Sequence, residues 1–149
     1  MRRAIRLSLE NVKKGGGPFG AVIVKDGKII SSGTNKVTLK NDPTAHAEID
    51  AIRRASKNLN SFDLSGCELY TSCEPCPMCL SAIYWARISR IYYGNTKKDA
   101  AKIVFIDDFI YKEIDKPLEK RKLKITQHLR DEALMSFETW DLKKDKKEY

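Results

Sequence analysis

Two short fragments constrain this chain more than any other part of it: Pro43-Thr44-Ala45-His46-Ala47-Glu48 and, further along, Pro75-Cys76-Pro77-Met78-Cys79. One imidazole and two thiolates spaced by two residues suit a zinc ion, so the fold must bring His46 to the Cys76–Cys79 turn. Three protein ligands leave the fourth tetrahedral position open for water, the arrangement of a catalytic site rather than a closed structural one. Glu48 follows His46 by two positions, where a carboxylate can move protons for that water. On a regular helix two positions lie roughly 200° apart. His46 and Glu48 therefore face one site only if His46 lies in the first turn. That predicts a helix from Pro43 or Thr44 to Lys57. Cys76 and Cys79 are expected to open a second helix, residues 76–87, whose positive end favours thiolate.

Other readings of these cysteines are open. A second Cys-x-x-Cys, Cys73-Glu74-Pro75-Cys76, makes Cys73 a candidate ligand of a structural Cys3His site, and a lone Cys-x-x-Cys can be a redox pair. The structural reading leaves Glu48 without a task. Otherwise Cys67 and Cys73 are small buried residues at the ends of a strand. The other histidine, His128, is remote in sequence.

The chain of 149 residues, 42% hydrophobic, suits one domain over residues 1–149. The start, Met1 to Glu10, is charged throughout and lacks the apolar region of a secretory signal, and no stretch is long enough to cross a membrane. Four cysteines without such a signal fit a reducing compartment, so the cytoplasm is expected. The net charge of +8 collects near the C-terminus, from Lys116 to Lys124 and from Lys143 to Lys147. No aromatic residues interleave these lysines, so a solvated face is expected there and nucleic acid is not the expected partner, while the charge keeps an RNA substrate open as a rival.

Periodicity places a helix over residues 2–14 with Ile5, Leu9 and Val12 on one face. Residues 15–18 break it, and Asp26-Gly27 joins two strands, 19–24 and 28–33, in a hairpin. A loop is expected over 35–42. Strands are expected at 67–72, 88–94 and 123–128, a short helix at 99–102, and a loop or short helix at 105–114. A last helix, residues 130–146, carries Ala133, Leu134, Phe137 and Trp140. Helices alternating with strands after a hairpin predict an α/β fold with a mixed sheet covered on both faces.

The His-x-Glu and Pro-Cys-x-x-Cys pair resembles the signature of zinc-dependent nucleobase deaminases. The likeness extends to Gly17–Gly27, Asn41–Glu48, Tyr70–Leu80, Ala82–Arg87, Phe109–Ile114 and the terminal Lys146-Lys147-Glu148-Tyr149. With these stretches the chain resembles the bacterial guanine deaminases of the cytidine-deaminase superfamily. The first and third are shared in part with tRNA adenosine deaminases. Tyr84-Trp85-Ala86, Phe109–Ile114 and the tail are the distinguishing ones. Ser81 departs from a common Gly.

The resemblance implies a three-layer α/β/α cytidine-deaminase-like fold with a five-stranded mixed sheet. It implies one Zn²⁺ per subunit on His46, Cys76 and Cys79, and a homodimer that exchanges residues 130–149. The implied reaction is hydrolytic deamination of guanine to xanthine and ammonia. Glu48 is then the proton shuttle, and Asp107 is the second acid, with Asp108 as the alternative. Phe19, Asn35, Ala47, Trp85 and the partner's Tyr149 would contact the purine. Phe19 and Trp85 as core aromatics, and Asn35 as a turn cap, are the competing structural readings. The rival activity is a tRNA-specific adenosine deaminase making inosine, and a non-catalytic zinc-stabilised module is a further alternative.

Overall fold

Asp26 and Gly27 take positive φ values of 50° and 73°, which closes a two-residue turn between β1 (Gly20–Lys25) and β2 (Lys28–Thr34). The computed structural model describes all residues 1–149. The chain divides into two compact units, residues 1–108 and 109–149. In the first, β3 (Cys67–Cys73) pairs antiparallel with β1, and β4 (Arg90–Asn95) pairs parallel with β3. The order is β2-β1-β3-β4, so the sheet is mixed, with four strands rather than five. Residues 123–128 pair with no strand. Leu123 and Ile125 supply only one and a half periods of alternation, and at 75% and 49% exposure they bury no face that would fix a register.

Three helices give the first unit its outer layers: α1 (Arg2–Lys13), α3 (Ala47–Leu59) and α4 (Pro77–Trp85). Alternation along β1 splits its side chains between two cores. Val22 and Val24 meet Ala4 and Leu7 of α1, while Ala21 and Ile23 join Ala47, Ala51, Ala55 and Ile83 of α3 and α4. This is the expected three-layer α/β/α arrangement.

The buried face of α1 is not the expected one. Ile5, Leu9 and Val12 are exposed, and Ala4, Leu7, Ser8 and Asn11 face inward. Close approach decides this. A side chain at Gly20 would collide with the Ala4 carbonyl and the backbone N–H of Ser8, so the helix presents its small residues to β1. The expected loop over 35–42 contains a short helix, α2 (Val37–Lys40). Two further short helices follow β4, α5 (Lys97–Lys102) and α6 (Asp108–Ile114).

The second unit begins within α6, and its last helix is α7 (Arg130–Asp141), shorter than the expected 130–146. Glu113 ties its first part together. The carboxylate pairs with Lys116 and accepts the Lys122 backbone N–H, while Arg121 donates to the Ile114 carbonyl at 2.7 Å. Of the expected apolar stripe on α7 only Leu134 is half-buried; Ala133 is exposed, and Phe137 and Trp140 are 73% and 43% exposed. No helix in the chain is long and apolar enough to cross a membrane.

Candidate metal centre and its surroundings

The helix that carries Glu48 starts later than the sequence suggests. His46 is the N-cap of α3, with extended backbone (φ −73°, ψ 158°), and Pro43–Ala45 lie outside the helix. A cap residue already departs from the helical spiral, so His46 and Glu48 face one site without a first turn between them. β2 holds this end of α3 close: a Cβ on Gly33 would strike the Ala47 carbonyl, and Ser31 Oγ donates to the Ala51 carbonyl at 2.7 Å. Lys36 reaches Asp50 at 2.7 Å from the same side.

Cys76 is likewise the N-cap of α4, with Pro77 at the first helical position and Cys79 two residues further. Two helix N-termini therefore converge, and their positive ends favour thiolate. His46 Nδ1 lies 3.6 Å from Cys76 Sγ and 3.5 Å from Cys79 Sγ. Zinc at about 2.3 Å from sulfur and about 2.0–2.1 Å from nitrogen, in tetrahedral geometry, separates such atoms by roughly 3.6 Å. The three side chains thus fit one Zn²⁺, and their ligand atoms all lie within 4.8 Å of one another. Cys73 stands outside this set: it is buried at the end of β3, and its thiol turns to the Thr96 carbonyl at 3.7 Å. Burial pushes that thiol up to about 11.

A hydrogen bond from Cys79 pulls the Cys76 thiol down to about 4, helped by His46 and by the Cys79 backbone N–H. Cys79, buried and donating, is pushed up. Its hydrogen bond with Cys76 raises His46. Glu48 is 5% exposed, and burial raises its carboxyl. Its Oε1 accepts the Thr71 hydroxyl at 2.9 Å, and its Oε2 faces Cys79 Sγ at 3.5 Å.

Thr71 is fully buried and is absent from the sequence-derived set. Strand alternation could have found it: Cys67, Leu69, Thr71 and Cys73 share the inward face of β3, and Thr71 is the hydroxyl among them.

Asp107 is the half-buried member of the acid pair and Asp108 the exposed one. Burial raises Asp107, and next the Cys76 thiolate does; the same carboxylate also acts on His46. The alternative Asp108 instead opens α6. Asn35 is buried, and its Oδ1 accepts the Val37 N–H at 3.3 Å, so it does serve as a turn cap. Phe19 packs on the core and meets Phe105 edge-on, with ring centroids 4.9 Å apart. Phe105 is a neighbour the sequence did not single out. Ala47 is buried beside His46. Trp85 closes α4 at 69% exposure, which rules out its reading as a core aromatic. Tyr149 ends the second unit.

The cytidine and deoxycytidylate deaminase zinc-binding region matches residues 1–95 of the chain. Guanine deaminase of Bacillus subtilis is 56% identical over 150 aligned residues, covering 100% of this chain and 96% of that protein. A tRNA-specific adenosine deaminase of Buchnera aphidicola is 40% identical over 129 residues, covering 87% of this chain and 82% of the other. The X-ray structure of the Bacillus subtilis guanine deaminase superposes with a TM-score of 0.96, over 99% of this chain and 95% of that one.

Proposed function

The chain belongs to the cytidine and deoxycytidylate deaminase family, and we propose that it hydrolyses guanine to xanthine and ammonia. The extent of the likeness carries the choice of substrate: the guanine deaminase matches the whole chain at 56%, the tRNA deaminase only 87% of it at 40%.

His46, Cys76 and Cys79 would hold the zinc ion, which would supply a nucleophile at neutral pH by bringing the pKa of water down to about 7. Glu48 moves the protons. With Oε1 engaged by Thr71, Oε2 is the oxygen on the ligand side. It takes a proton from the attacking water and passes it to purine N3 as the oxygen adds to C2. Glu48 then takes the remaining proton from the added hydroxyl and, aided by Asp107, passes it to the exocyclic amine. The C2–N bond breaks, ammonia leaves and the new carbonyl of xanthine forms. Burial raises both carboxyls above their ordinary values.

In this reading Phe19 stacks on the purine, Asn35 donates and accepts at its edge, and Ala47 and Trp85 line the pocket. Residues 130–149 exchange in a homodimer, and Tyr149 of the partner subunit closes the pocket. The exposed Met135, Phe137 and Leu142 support a covering partner. Two cysteines assigned to a metal and two, Cys67 and Cys73, buried without a disulfide support a reducing compartment such as the cytoplasm.

The test is ammonia release, with ultraviolet spectra, from zinc-loaded protein given guanine, adenine, cytosine, cytidine or a tRNA anticodon stem-loop. Xanthine from guanine alone is expected. Inosine in the stem-loop without guanine turnover would overturn the proposal.

A further inference from the structure

Phe19 and Asn35, assigned above to the face and edge of the purine, lie on loops rather than on a helix or strand. One side chain of α1 ties both loops down. Asn11 Nδ2 donates to the Gly17 carbonyl at 2.8 Å and to the Asn35 carbonyl at 2.7 Å. Both amide protons are used, which fixes the orientation of the carboxamide. The Gly17 carbonyl also accepts the Phe19 N–H at 2.8 Å, and the Phe19 carbonyl accepts the Asn35 N–H at 3.2 Å. Asn11, Gly17, Phe19 and Asn35 therefore form a closed ring of hydrogen bonds.

The ring is itself anchored. Asn11 is the third residue from the end of α1, and its carbonyl accepts the Gly16 N–H at 3.0 Å, while the Val12 carbonyl accepts the Gly15 N–H at 3.0 Å. This pair of bonds, with Gly15 at φ +83°, is a Schellman turn, which needs a residue at ease in the left-handed region. No spare room surrounds it. A Cβ on Gly16 would lie 2.7 Å from the Asn35 carbonyl oxygen, and one on Gly17 would lie 2.9 Å from Asn35 Oδ1. Asn11 and Asn35 are only 5% and 6% exposed.

We propose that Asn11 is a positioning residue for substrate recognition, holding Asn35 and Phe19 in register with each other while leaving the metal ligands untouched. The inference rests on the guanine reading and on the place given there to Asn35.

The experiment is steady-state kinetics with guanine on zinc-loaded Asn11→Ala, Gly17→Ala and Asn35→Ala, with zinc content and Tm measured on each. Asn11→Ala leaves two carbonyls without their donor. Gly17→Ala leaves the Asn11 side chain in place and presses directly on the Asn35 carboxamide. Both should raise KM about tenfold, the worth of one hydrogen bond, with kcat within about threefold of the unaltered protein. Zinc should stay at one per chain.

A lowered Tm with unaltered KM in Asn11→Ala would make Asn11 merely structural and overturn the inference. Where Asn11→Ala fails to fold, Gly17→Ala decides by the same criterion. Raised KM in Asn35→Ala with unaltered KM in Gly17→Ala overturns this inference alone. Unaltered KM in Asn35→Ala removes Asn35 from the purine site and the inference with it. No guanine turnover by the unaltered protein overturns both readings.

Discussion

His46, Cys76 and Cys79 stand on the first residues of two helices, whereas Phe19 and Asn35 stand on loops that α1 holds through one amide. The metal corner inherits its geometry from regular backbone: capping positions, a proline at the first turn, and β2 pressed against α3 where Gly33 leaves no room. The loop corner has no such regular ladder and depends on two hydrogen bonds from the Asn11 amide and a few isolated backbone ones. Substitutions in the first corner should therefore lower kcat, and those in the second should raise KM.

The sharpest break in that comparison is Glu48→Gln. It keeps the shape and removes the base, so kcat should fall about 10²–10⁴-fold while zinc content and KM hold. Retained turnover would remove Glu48 from its role. Thr71→Val comes next. It leaves the buried Glu48 Oε1 without its donor, and kcat should fall roughly tenfold with KM unchanged. Thr71→Ser should recover most of the rate, and a failed rescue would show that the methyl group, rather than the hydroxyl, is what matters there. A smaller effect belongs to the loop corner. Phe105→Ala removes the edge-on partner of Phe19, and KM should rise a few-fold at constant kcat. A fall in kcat instead would place Phe105 with the metal corner.

The same contrast explains what the sequence made legible. The ligand set could be read because metal chemistry restricts residue types and spacing tightly. Asp26-Gly27 gave the hairpin because a two-residue turn needs positive φ at both positions. Asn11 could not be read that way. Its two acceptors are backbone carbonyls, which any residues at positions 17 and 35 would supply, so no pattern of side chains marks it. Apolar content points to Ile5, Leu9 and Val12 as the inward face of α1, whereas steric fit against Gly20 selects Ala4 and Ser8. The strand expected over 123–128 had alternation but no neighbour to pair with. A strand is a property of two segments, and one sequence segment shows only half of it.

The smallest predicted effect lies at the far end of α4. Arg87 follows that helix at φ +56°, and its guanidinium meets Asp63 at 2.8 Å. Hydrogen bonds from Ser65, and next the Arg87 partner, hold the Asp63 carboxyl down at about 2, below its ordinary 3.8. A carboxyl depressed in the folded state stabilises the fold fully above its unfolded pKa, and that contribution is lost as pH falls through the folded value. The Tm gap between the unaltered protein and Asp63→Asn should therefore be steady above about pH 5 and shrink from about pH 4 toward pH 2. The pair is exposed, so the gap should be small at any pH. If the N-termini of α3 and α4 set the metal corner, loosening this other end of α4 should leave zinc content and kcat at neutral pH unchanged. Loss of zinc in Asp63→Asn would show that the whole helix, and not its first turn, positions Cys76 and Cys79.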